Sequence, residues 1–82
     1  MFSETINVVC RNEPSGRVVA VATFAVEFTV SNEKLTATAR LIAANGQATS
    51  DPAVLGLSSE DFEMASHVAE LQARDRIVYL RI

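Results

Sequence analysis

His67 is the chain's one histidine and Cys10 its one cysteine, so chemistry at an imidazole or a thiol has to be built around one of them. Nucleophilic catalysis needs a Ser, Cys or Thr beside a positioned base. On a helix Ser66 points about a quarter turn away from His67 and cannot serve as its nucleophile. Cys10 shares the parity of Ile6 and Val8 in an alternating apolar and polar run, which turns its thiol inward as a small, inert hydrophobe. No catalytic triad can be assembled, and a non-enzymatic protein is expected.

Glu63-x-x-x-His67-x-x-Glu70 sets two carboxylates and an imidazole on one helical face, a donor set that could hold a divalent metal if doubled across a dimer axis. The same spacing describes an ordinary solvated face with local charge pairs. With no second ligand cluster in the sequence, neither a metal nor another cofactor is expected. The same acids make no general acid/base pair, because exposed carboxylates titrate far below neutrality. Gly16, Gly46 and Gly56 are isolated, and neither a dinucleotide fingerprint nor a Walker phosphate loop occurs.

The 82 residues are 49% hydrophobic with two prolines, which describes a chain that can offset its ordering entropy by burial in one domain, residues 1–82. Seven Lys+Arg against ten Asp+Glu give a net charge of −3, a poor match for nucleic acid or an anionic membrane. Arg11, Arg17, Lys34 and Arg40 all lie in the first half, where Glu4, Glu13, Glu27 and Glu33 balance them; a hairpin-based nucleic-acid contact is therefore a minor alternative. No apolar stretch approaches the ~20 residues of a membrane span. The first ten residues contain Glu4 and no base ahead of an apolar core, so a secretory leader is not expected and the cytoplasm is. One cysteine excludes an internal disulfide, leaving the core to packing or association.

The acids are distributed unevenly. Between Arg40 and Arg74 there is no Lys or Arg, whereas Asp51, Glu60, Asp61, Glu63 and Glu70 fall in that interval. A negative face of this kind can dock on a basic protein surface and speed encounter by steering, although it also serves solubility. Glu60, Asp61, Glu63 and Glu70 are the candidate partner-binding residues.

Periodicity supplies the elements that must position them. A first strand carries Ile6, Val8 and Cys10 on one face and Thr5, Asn7, Val9 and Arg11 on the other, ending in a turn over Asn12-Glu13-Pro14-Ser15-Gly16. Even positions from Val18 to Val30 are apolar; after Asn32-Glu33 the parity inverts to Leu35, Ala37, Ala39, Leu41 and Ala43. This predicts a hairpin pairing Val30 with Leu35, Phe28 with Ala37, Val26 with Ala39 and Phe24 with Leu41, with Glu27 diagonal to Arg40. A helix from about Glu33 to Ala44, capped by Asn45-Gly46, is the rival reading. Gln47 to Gly56 reads as a loop.

Ser58 as N-cap, Asp61 at N3 and the Leu57/Phe62 staple start a helix, with Leu57, Met64, Val68 and Leu71 as its apolar stripe and Phe62, Ala65 and Ala69 beside it. Ile77 to Ile82 reads as a buried closing strand. The expected fold class is α+β: one small domain, an antiparallel sheet in the order β-β-β-α-β, and one helix on one face.

A thirteen-residue strand spans about 43 Å and a fifteen-residue helix about 23 Å. Such a helix leaves part of the hairpin bare, unless the strand bends at a bulge near Thr23. Phe24, Phe28, Leu35 and Leu41 are accordingly the candidate oligomer interface, most economically of a homodimer. In length, mild acidity and lack of active-site residues the chain resembles small phage-encoded anti-defence proteins, anti-CRISPR-like inhibitors that occupy a basic surface of a host complex. That resemblance implies a stoichiometric inhibitor or adaptor; a small metal- or ligand-binding enzyme is the alternative.

Overall fold

A computed structural model of the chain describes residues 2–12 and 14–80, with side chains at 3–12 and 14–76. Four strands, β1 Phe2–Arg11, β2 Val18–Ser31, β3 Lys34–Ala44 and β4 Gln47–Ala48, precede a short 3-10 turn at Pro52–Leu55 and one long helix, α1 Ser59–Leu80. The strands form one antiparallel sheet in the order β1-β2-β3-β4, and α1 lies across one face. The class is α+β.

Parity sets the register. Val30 pairs with Leu35, Phe28 with Ala37, Val26 with Ala39 and Phe24 with Leu41, and Arg40 reaches Glu27 at 3.7 Å. Residues 33–44 are thus strand apart from Glu33, not the rival helix. Asn32 and Glu33 both take positive φ, 52° and 64°, the backbone that joins two right-twisted strands through two residues. A register shift between Thr23 and Phe24 leaves Ile42 as an extra residue and bends the sheet.

Asn45-Gly46 does not cap a helix. With φ of 51° and 82° it turns a second tight hairpin into β4, which occupies the start of the expected loop. The Asn45 amide donates to the Val21 carbonyl at 2.8 Å and its side-chain Oδ1 accepts from Val21 N–H at 2.9 Å. Those two bonds close the sheet beside the bulge, where strand-to-strand pairing is interrupted.

Ser58 caps α1 as expected: its Oγ accepts from Asp61 N–H at 3.2 Å and its carbonyl from Phe62 N–H at 2.9 Å. The helix then runs on through Leu80, so the closing strand at Ile77 to Ile82 is replaced by helix over 77–80; Arg81 and Ile82 lie outside the described residues. Gln72 to Arg76 contains no Gly or Pro, and extending a formed helix by one more residue is cheap. A short apolar run has no periodicity of its own to oppose that. The sheet's fourth strand therefore precedes the helix. At 22 residues α1 is about 33 Å long, which removes most of the expected length mismatch.

The helix seats on small side chains. Ala65, Ala69 and Ala73 are buried and Phe62 and Val68 partly so, whereas Met64 is 66% and Leu71 46% exposed. The stripe read from the large apolar residues is thus rotated about the helix axis. The sheet supplies the bulk here, through Ile6, Phe24, Val26, Phe28 and Leu41, and alanines let the helix backbone approach it closely.

Candidate functional site

Phe24, Phe28 and Leu41 are buried beneath α1, and Phe24 packs against Phe62 with ring centroids 5.8 Å apart and ring planes tilted by 43°. These three are core side chains of the single chain and offer no surface to a second copy; only Leu35 of the expected interface is exposed, beside the exposed Val30 at the hairpin tip. The longer helix and the bent strand together cover what a shorter helix would have left bare.

The four acids separate into two groups. Glu60, Asp61 and Glu63 are exposed on the first turns of α1, where the helix dipole favours them. Glu70 is turned the other way: its Oε1 accepts from Ala39 N–H at 3.4 Å on the outer edge of β3, and its Oε2 lies 4.0 Å from His67 Nδ1. A carboxylate that accepts from an edge amide blunts the edge against further pairing. Glu70 is therefore a positioning residue of the fold. Glu63, His67 and Glu70 do not converge on one point, and among the described residues no group of three or more metal-binding side chains is assembled.

Two of the four bases of the first half are engaged within the chain. Arg40 pairs with Glu27, and Arg11 Nη1 donates to the Gly16 carbonyl at 3.0 Å.

The feature that sequence reasoning missed is a cleft. A cavity of about 520 Å³ opens between the end of β1 and the N-terminal half of α1, with Val8, Val19, Leu57, Met64 and Val68 in its lining and Asp61 and Arg11 at its polar margin. It forms because the chain enters α1 through Gly56, held at φ 68°, after Asp51 Oδ1 has capped the 3-10 turn at Ala53 N–H. That route carries Leu57 and Ser58 past the end of the sheet. No sequence signal marked it, because the buried alanines that turn Met64 toward the opening are neutral in a hydrophobic pattern.

Cys10 lies in the same cleft, half-buried. Burial pushes its thiol pKa up, and the Asp61 carboxylate adds to the rise. The thiol is held in its protonated, weakly nucleophilic form at neutral pH. Alkylation of Cys10 by iodoacetamide at pH 8 should accordingly run several-fold slower in the folded protein than in denaturant, and Asp61→Asn should recover the smaller part of that difference. Equal rates folded and unfolded would contradict this placement.

Among the described residues no helix is long and apolar enough to cross a membrane. Comparison with protein-family models, with curated proteins and with solved structures finds no match.

Proposed function

We propose that this protein is a non-enzymatic protein-interaction module that works by stoichiometric binding. The observation that carries the reading is the juxtaposition at the start of α1: a mostly apolar cleft with Asp61 at its margin and the exposed Met64 in its lining, on the same first turns that expose Glu60 and Glu63 to solvent. An apolar floor with adaptable Met, rimmed by charge, is the anatomy of a protein-binding surface. The three exposed acids on these first turns, Glu60, Asp61 and Glu63, favour a partner with a basic surface. The protonated Cys10 supports binding rather than covalent chemistry at this cleft. Acting by occupancy, such a module serves as an inhibitor or adaptor, the role that resemblance to small phage-encoded anti-defence proteins implies.

Glu60→Lys combined with Glu63→Lys tests the reading, since both side chains are exposed and Glu70 keeps its place on β3. Reversal costs the helix about 1 kcal/mol through its dipole and leaves the fold intact by thermal melt. Proteins captured by the parent in a salt-sensitive manner should be lost by the variant. Partners that bind both forms equally, at low and high salt alike, would remove the acidic helix start from the account.

A further inference from the structure

The two edges of the sheet are treated differently. On the β3 side Glu70 occupies the Ala39 amide and β4 covers Ala43 and Ala44. On the β1 side no strand among the described residues pairs with the outer edge.

Which groups that edge presents follows from the ladder. Ala39 N–H points off the sheet to Glu70, so Ala39 and its partner Val26 form a pair that exchanges no hydrogen bonds, and Val26 turns its N–H and C=O toward β1. Val21, of opposite parity, bonds to Asn45 on the β3 side, as the same alternation requires. The even residues of β2 therefore bond to Glu4, Ile6, Val8 and Cys10, their register partners. The N–H and C=O groups of Ser3, Thr5, Asn7 and Val9 are left facing the open edge.

Apolar surface flanks this edge on both sides of the sheet. Met64 and Val68 line the cleft against β1 and Leu71 continues their helical stripe; Val9 is 48% exposed on the opposite face. An extended strand laid along β1 would satisfy the backbone groups and place alternate side chains against these two surfaces.

We infer that the strand which docks there is β1 of a second copy, the two pairing antiparallel about a two-fold axis at Asn7 and continuing the sheet through both molecules. The inference rests on the reading of the protein as an interaction module and specifies how it self-associates. Charge identifies the occupant. Arg76 contacts Glu4 at 3.3 Å near one end of the edge, while Asp61 lies by Cys10 at the other. Antiparallel pairing brings the Arg76–Glu4 pair of each copy toward Asp61 and Arg11 of the other, so each charge meets an opposite one. Parallel pairing about an axis along the strands would instead put the helices on opposite faces and leave these charges unmatched. The register centred on Asn7 matches Thr5 with Val9 of the second copy, so the same surface serves both molecules. The two helices then run antiparallel on one face, with the Met64, Val68 and Leu71 stripes along the seam. Glu63, in line with Glu70 on the β3 side of α1, stays clear of the seam for a different partner.

Light scattering over a concentration series tests this on the full chain. The mass should rise from 8.9 kDa toward twice that value. Thr5→Pro removes an N–H that points off the sheet and no ladder donor; it should stay monomeric at every concentration with an unchanged far-UV spectrum. Met64→Glu, at an exposed position, should weaken the dimer by about tenfold or more, and it carries the test if the proline variant is unfolded. A parent that remains monomeric to its solubility limit overturns the inference, as does a dimer that Thr5→Pro and Met64→Glu leave unchanged. A monomer whose partner binding still depends on Glu60 and Glu63 overturns only the self-pairing. Dimerisation that persists while partner binding ignores those acids overturns only the proposed acidic surface.

Discussion

Replacing Phe24 by Ala should cost about 3–5 kcal/mol of folding stability and lower the melting temperature by about 15 °C or more. Phe24 has no solvent exposure and is among the largest fully buried side chains described. It stands at the centre of β2, paired with Ile6 on one side and Leu41 on the other, and its ring packs on Phe62 of α1. Truncation removes a large side chain that joins three strands to the helix. The alanines above it cannot fill the void, because Ala65, Ala69 and Ala73 have no further atoms to extend. A chain of this size has about 4–12 kcal/mol to lose, so the variant should be partly unfolded at 37 °C. Chemical denaturation gives the value; a loss under about 1 kcal/mol would mean that the helix does not rest on Phe24.

The second large effect has the opposite cause. Ala69→Leu adds bulk at a position with no exposure, under which the sheet already presents its largest residues. Overpacking of this kind costs about 1–3 kcal/mol, and more where the backbone has to move; here α1 would have to lift from the sheet along its length. Met64→Ala provides the contrast, since Met64 is 66% exposed and its truncation should change stability by no more than about 0.5 kcal/mol. If Met64→Ala is the more damaging of the two, the helix seats on its large residues and its placement here is wrong.

That contrast also marks where sequence reading reaches its limit. The hairpin register was legible because side-chain direction alternates strictly along a strand, so a two-residue turn at Asn32-Glu33 inverts parity visibly. The start of α1 was legible at Ser58 because an N-cap acts through bonds only a few residues long. The helical stripe was not, because alanine is neutral in a hydrophobic pattern and Met64 and Leu71 outweighed it; whether large or small residues face inward depends on what the sheet brings to the contact. Ile77 to Leu80 was misread because its neighbours on the helix decide its conformation. Asn45-Gly46 fits a helix cap and a tight turn equally well, and only the pairing of Ala43 with Ala48 decides between them.

The candidate site followed the same division. Exposure of Glu60, Asp61 and Glu63 was readable from the helix start, while the role of Glu70 was not, since its partner Ala39 is 31 residues away in the chain. Phe24, Phe28 and Leu41 were correctly read as one apolar face, but a helix of 22 residues covers them, which moves the open surface from the hairpin to the β1 edge and the cleft beside it.

Amide hydrogen exchange along β1, measured at low and high protein concentration, tests the central claim most directly. In dilute solution Glu4, Ile6 and Val8 should exchange slowly, bonded to β2, and Thr5, Asn7 and Val9 quickly; raising the concentration should protect the second set alone. Equal protection of both sets at every dilution would contradict the account, because it would mean that the outer edge of β1 is already covered within the single chain.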